Sequence, residues 1–222
     1  MTTNTKISLT VLAVIAVVVG ALVMLARPEG LGGASSTAPA SVLVRPDSHR
    51  LSTAADGRVT VVEFLDLECG SCGAAFPVVE RLRGEYAGKV TFVMRYFPLP
   101  SHRNAELAAR AVEAAGQQGQ LEPMYRKMFE TQPQWAGAQV SQRATFLGFA
   151  RDLGLDMAKF EAALDDQATI DRVLADRADG TSLGVNGTPT FFINGVKFTG
   201  TPTYQALKSA IDGELANEHY QR

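Results

Sequence analysis

Apolar and polar positions divide this 222-residue chain into an apolar head, a small-residue stretch and a patterned body. From Ile7 to Ala26 (ISLTVLAVIAVVVGALVMLA) there is no charged residue. About 20 apolar residues rising 1.5 Å each span a bilayer core of roughly 30 Å. The pattern therefore predicts a single N-terminal transmembrane helix over residues 7–26, after a short cytoplasmic segment, 1–6. A cleaved secretory signal is the competing reading. Its apolar region runs about 7–15 residues and meets a small-x-small site at once, whereas Ala38-Pro39-Ala40 lies far downstream. Residues 27–40 (RPEGLGGASSTAPA) bury too little apolar surface to fold and predict a flexible linker.

The remainder, 41–222, reads as one domain. Ser41–Val44 has the look of a short edge strand broken by Arg45-Pro46. Arg58–Leu67 is dense in β-branched and aromatic residues, as a buried strand is. Ala74–Tyr86 reads as a helix that Pro77 should kink, and Val90–Phe97 as a second strand stopped by Pro98 and Pro100. Helical spacing then dominates: Ala105, Ala108, Ala109, Val112 and Ala115; Met124, Met128 and Phe129; Val140–Leu153; Met157–Leu164, with Asp156 as N-cap; and Ile170, Val173, Leu174 and Ala178, stopping near Gly184. Thr190–Ile193 and Val196–Thr199 flank Asn194-Gly195, a strong hairpin signal because both turn residues need positive φ. A last helix begins near Thr203. The class is α/β, with a helical insertion at about 103–183 and no internal repeat.

Composition narrows the function. With 46% hydrophobic and 20% charged residues the chain can build one core and an insertion, hardly two full domains. A net charge of −2 argues against a nucleic-acid binder, which normally shows a basic face. The only cysteines are in Cys69-Gly70-Ser71-Cys72. Half of a zinc site is one reading, but only His49, His102 and His219 remain as further soft ligands, so no metal is expected. A purely structural disulfide closing so small a loop stabilises little. Redox exchange is the third reading, and it needs no separate cofactor. Cys69 sits where a strand gives way to a helix, facing unpaired N–H groups and the positive end of the helix dipole, both of which favour the thiolate. Cys72, one turn on, should be more buried, so Cys69 exchanges with substrate and Cys72 resolves the mixed disulfide.

Around this pair, Glu63 lies on an apolar strand. A carboxyl buried there can relay a proton to Cys72 through water; at a strand edge it simply faces solvent. Glu68, adjacent to Cys69, should oppose the thiolate. His102 reads as a surface or capping residue, and Trp135, Phe146 and Phe149 as packing for the helical block. From the residues alone, Thr188-Pro189 is a turn before a strand.

These motifs together resemble the thioredoxin superfamily, in particular its DsbA-like branch of envelope thiol–disulfide oxidoreductases. Val61-Val62-Glu63-Phe64 places an acid six residues before Cys69, and Pro77 falls five residues after Cys72. Gly187-Thr188-Pro189-Thr190 matches the family's cis-proline loop, and a helical block precedes it. The resemblance covers roughly 41–216. It implies a thioredoxin-like fold and Cys69–Cys72 as a redox-active disulfide. It also implies Thr188 and Pro189 beside it, offering backbone to an extended substrate segment. The expected substrates are cysteine-containing exported proteins, with a quinone-linked membrane reoxidase as partner. The expected location is a single-pass cell-membrane protein with its catalytic domain on the extracytoplasmic side. Gly70-Ser71 lacks the histidine that strongly oxidising members carry between their cysteines. An isomerase or reductase of the same fold therefore stays open, as does a peptide-binding module or holdase with incidental cysteines.

Overall fold

The computed structural model describes residues 37–217. The expected transmembrane stretch, 7–26, lies outside the described residues, and among those described no helix is long and apolar enough to cross a membrane.

A five-stranded sheet of order β1-β3-β2-β4-β5 forms the centre. Its middle strand, β2 (Val59–Leu65), is buried along nearly its whole length, which suits its β-branched and aromatic residues. β3 (Val90–Tyr96) runs parallel to it from Val59↔Val90 to Leu65↔Tyr96. A parallel pair needs a crossover, supplied by α2 (Gly70–Glu85). On the other side of β2 lies the antiparallel β4 (Thr190–Ile193), which turns into β5 (Val196–Lys197). Asn194 (φ 46°) and Gly195 (φ 84°) make that turn with the positive φ angles the Asn-Gly pair predicts. The second strand is shorter than Val196–Thr199, although Phe198 N–H still donates to Phe191 C=O at 2.9 Å.

The two faces of β2 are covered differently. Val59 and Val61 pack with Ala75, Val79 and Leu82 of α2 and with Leu207 and Ile211 of α8 (Tyr204–Asn217). Val62 and Phe64 pack with Val93, Phe97, Val185 and Leu43. Between β3 and β4 run five helices: α3 (Ala105–Gly116), α4 (Leu121–Glu130), α5 (Arg143–Asp152), α6 (Met157–Asp165) and α7 (Gln167–Ser182). Trp135 and Phe146 meet edge to face at 5.0 Å inside this block, the packing role expected of them. Asp156 caps α6 as predicted, accepting from Lys159 N–H at 3.1 Å.

Two local expectations fail. Ser41–Val44 is not a strand: Ala40–Leu43 forms a short helix, α1. The carbonyls an edge strand would pair are taken by Arg95, which donates to Val42 C=O (2.8 Å) and Leu43 C=O (2.6 Å). The sheet edge belongs instead to β1 (His49–Ser52), antiparallel to β3. Its His-Arg-Leu-Ser sequence lacks the strand-forming pattern, since only Leu51 among the four is buried. Helix α2 also starts four residues before the expected Ala74 and continues through Pro77, so the C-x-x-C is its first turn.

Candidate active site

β2 ends at Leu65, and the chain then turns through Asp66-Leu67-Glu68 before α2 begins. Cys69 is the N-cap of α2, with extended backbone (φ −70°, ψ 121°) and Gly73 N–H donating to its carbonyl at 3.0 Å. Both cysteines are free thiols; Cys72 is fully enclosed, and Cys69 keeps 8% exposure. Their acidities are driven apart. The Cys69 thiol is held at about 4, chiefly by a hydrogen bond from Cys72; burial opposes this, and Thr188 with the backbone N–H groups of Cys72 and Ser71 adds to it. Cys72 is pushed well above the ordinary thiol range by burial, by its role as donor to Cys69 and by the charges of Glu63 and Cys69.

The proline loop closes the site from the β4 side. Thr188-Pro189 is a cis peptide, and the Cys69 thiol donates to Thr188 C=O at 3.4 Å. The Thr188 hydroxyl is buried with no partner beside the neutral thiol, and it is the group of Thr188 that favours the Cys69 thiolate. Thus Cys69, Cys72, Thr188 and Pro189, which are 119 residues apart at the Cys69–Thr188 contact, come together.

Glu63 follows Val59 and Val61 at two-residue spacing on β2 and so lies on the face that α2 covers. Its carboxyl is buried and raised to about 8, first by burial and then by the charge of Glu80. It is close enough for its charge to act on Cys72.

Glu68 is held by two backbone donors. Its carboxylate turns away into the helical block, accepting from Asn104 N–H (2.6 Å) and Gly137 N–H (3.0 Å). His102 is not a plain surface residue. Its ring Nδ1–H donates to Asp66 at 2.7 Å, and Asp66 also accepts from Leu99 N–H (2.9 Å) and Glu68 N–H (2.8 Å).

Gln132 is a further site residue that the sequence does not announce. It lies buried in a single 3₁₀ turn, Gln132–Gln134, and donates its amide to Leu67 C=O (2.7 Å) and Cys69 C=O (3.0 Å). Its approach requires the glycine at 73, since a Cβ there would lie 2.1 Å from the Gln132 carbonyl oxygen. The one local hint is Gly73 itself, directly after the second cysteine. Among the described residues no cluster of His, Cys, Asp and Glu is arranged to hold a metal ion.

Two thiols one turn apart with opposed acidities, set at the mouth of a β2–α2–β3 crossover, define a site for thiol–disulfide exchange. The chain belongs to the thioredoxin family, whose family model, described as Thioredoxin, matches residues 52–213. Within it the chain is a DsbA-like thiol–disulfide oxidoreductase. It is 30% identical to Pseudomonas aeruginosa DsbA2, covering 75% of this chain and 94% of that one, with a TM-score of 0.62. Wolbachia pipientis alpha-DsbA1 shares the fold at 20% identity, with 81% of this chain and 96% of that one covered and a TM-score of 0.72. Among curated proteins, the Na(+)/H(+) antiporter NhaA 1 of Salinispora arenicola is 36% identical over 177 residues, which are 79% of this chain and 26% of the antiporter. The chain thus spans about a quarter of the length of the curated relatives it matches.

Proposed function

We propose that this chain is an extracytoplasmic oxidase that introduces disulfides into exported proteins through the Cys69–Cys72 pair. The observation that carries the reading is the split in acidity, with Cys69 at about 4 beside a Cys72 pushed well up. A couple whose reduced form contains a stabilised thiolate gives up its disulfide readily, which is the property of a strong oxidant.

The exchange balances as follows. A substrate thiolate attacks Cys69 Sγ of the disulfide, the S–S bond breaks, and Cys72 leaves with the electron pair. Glu63, which still holds its proton at neutral pH, protonates Cys72 through a water. A second substrate thiolate then attacks the substrate sulfur of the mixed disulfide, and Cys69 departs as a stable thiolate. The substrate loses two electrons and two protons; Cys72 keeps one proton and solvent takes the other. Thr188 backbone beside Cys69 would pair with an extended substrate segment, a contact that reads main chain and so tolerates many sequences. Reoxidation requires an electron acceptor, and a quinone-linked membrane protein is the proposed partner. The apolar stretch 7–26 would anchor the chain in the cell membrane, with the described domain outside the cytoplasm. The antiport named for the longer relatives is not transferred, because the shared stretch is about a quarter of each.

Oxidative refolding of a reduced substrate by the oxidised full chain tests this reading. Wild type should speed disulfide formation, and Cys69→Ser and Cys72→Ala, neither of which can form the Cys69–Cys72 disulfide, should abolish it; given a disulfide-bonded substrate instead, Cys72→Ala should accumulate mixed disulfides. Full activity in Cys69→Ser would instead mark a binding module, and a preference for scrambled over reduced substrate would mark an isomerase.

A further inference from the structure

The dipeptide between the cysteines, Gly70-Ser71, carries no charge. A titratable ring is tied to the cysteine loop from another turn. After β3 the chain runs through Phe97-Pro98-Leu99-Pro100-Ser101-His102, with Phe97 N–H donating to Leu65 C=O (2.7 Å) and His102 N–H to Leu99 C=O (3.0 Å). Two prolines stiffen this turn. The buried Asp66 fastens it to the C-x-x-C loop, because the same carboxylate takes Leu99 N–H, the His102 ring and Glu68 N–H. Asp66 main chain belongs to the cysteine loop itself: Cys69 N–H donates to Asp66 C=O (3.1 Å), and Asp66 N–H to Cys72 Sγ (3.5 Å).

We propose that His102, oriented by Asp66, is a positioning residue that supplies a positive charge to the Cys69 thiolate and so helps set the acidity and potential of the couple. The proposal deepens the oxidase reading and rests on Cys69 being an activated thiolate. The charged groups that act on the ring are Asp66, Cys69 and Glu68, all on the β2–α2 loop; the exposed Arg103 is its neighbour in sequence. Burial alone would pull the imidazole down, but Asp66, then Cys69 and Glu68, carry it above its ordinary value, so the ring keeps its charge further into the neutral range. Asp66 also accepts from two backbone N–H groups, so the ring is not its only partner. A coupling between two ionising groups is reciprocal. If the thiolate raises His102, protonated His102 must favour the thiolate by the same factor, and forming the disulfide must release it.

Two measurements on the full chain decide the matter. The first follows thiolate absorbance of the reduced protein against pH, in wild type, His102→Gln and Arg103→Gln. Glutamine still offers Asp66 an N–H without a charge. We expect His102→Gln to raise the Cys69 pKa by about one unit, a tenfold loss of thiolate preference, and Arg103→Gln to leave it unchanged. The same tenfold change makes the couple about 30 mV more reducing. The second needs no variant: the imidazole titration of His102, followed by NMR, should lie higher in the reduced than in the oxidised protein. A low Cys69 pKa with equal His102 titrations in both redox states overturns the proposal and leaves the oxidase reading standing. A wild-type Cys69 pKa near 8.5 overturns the reading on which it rests.

Discussion

Glu63 is where a single residue has consequences for both chemistry and stability. Its folded carboxyl titrates near 8, whereas an unfolded one titrates near 4.5. Between those values the folded state binds a proton that the unfolded state has lost. Folding stability is therefore fully present below about pH 4.5 and falls as pH rises to about 8, by up to a few kcal/mol. Glu63→Gln removes this dependence. The variant should melt higher than wild type at pH 8 and close to it at pH 4.5, in thermal melts of the reduced protein. An equal difference at both pH values would contradict a buried, neutral Glu63. The same substitution should slow the first exchange step, in which Cys72 leaves and takes a proton, by about a hundredfold, the lower end for general acid–base catalysis. Glu63 was legible in sequence because an acid within a run of strand-forming apolar residues is conspicuous. His102 was not, because its meaning lies in Asp66, 36 residues away, and no local pattern records that bond.

Helix α2 and the helical block meet at the active site, and their junction is Gly73 against Gln132. Gly73→Ala brings two effects of opposite sign. Alanine is the better helix former by up to about 1 kcal/mol. Against that, its methyl displaces the Gln132 amide from Leu67 and Cys69; the Leu67 carbonyl is left unpaired, at about 1–3 kcal/mol, while Cys69 C=O keeps the residue-73 N–H. The second effect should win, so denaturant unfolding should show Gly73→Ala destabilised by about 1–2 kcal/mol. A stabilised variant would mean that Gln132 holds nothing. At this scale the elements with local signals were legible: the Asn194-Gly195 turn, the Asp156 cap and the apolar β2 and β3. Those set by distant partners were not. Ser41–Val44 has strand-like residues yet forms α1, because Arg95 claims its carbonyls. β1 carries a poor strand sequence yet pairs, because the edge of β3 is there to receive it.

Arg95 also joins the molecule as a whole. It sits fully buried in β3, paired with Asp176 and Asp179 of α7 at 2.6 Å each and bonded to the carbonyls of α1. Sheet, helical block and N-terminal segment thus share one guanidinium. Arg95→Ala strands the buried Asp176 with only its contacts to Arg172 and Tyr96 N–H, and should cost about 3–5 kcal/mol in equilibrium unfolding. A loss within about 0.5 kcal/mol would show the network to be dispensable. The function proposed for the cysteine loop and the proline loop is a statement about electrons. The standard potential of the Cys69–Cys72 couple, measured by equilibration with glutathione, tests it most directly. A stabilised Cys69 thiolate predicts a potential between about −180 and −120 mV, in the range of disulfide donors. A value at or below about −270 mV would make this chain a reductant and contradict the account.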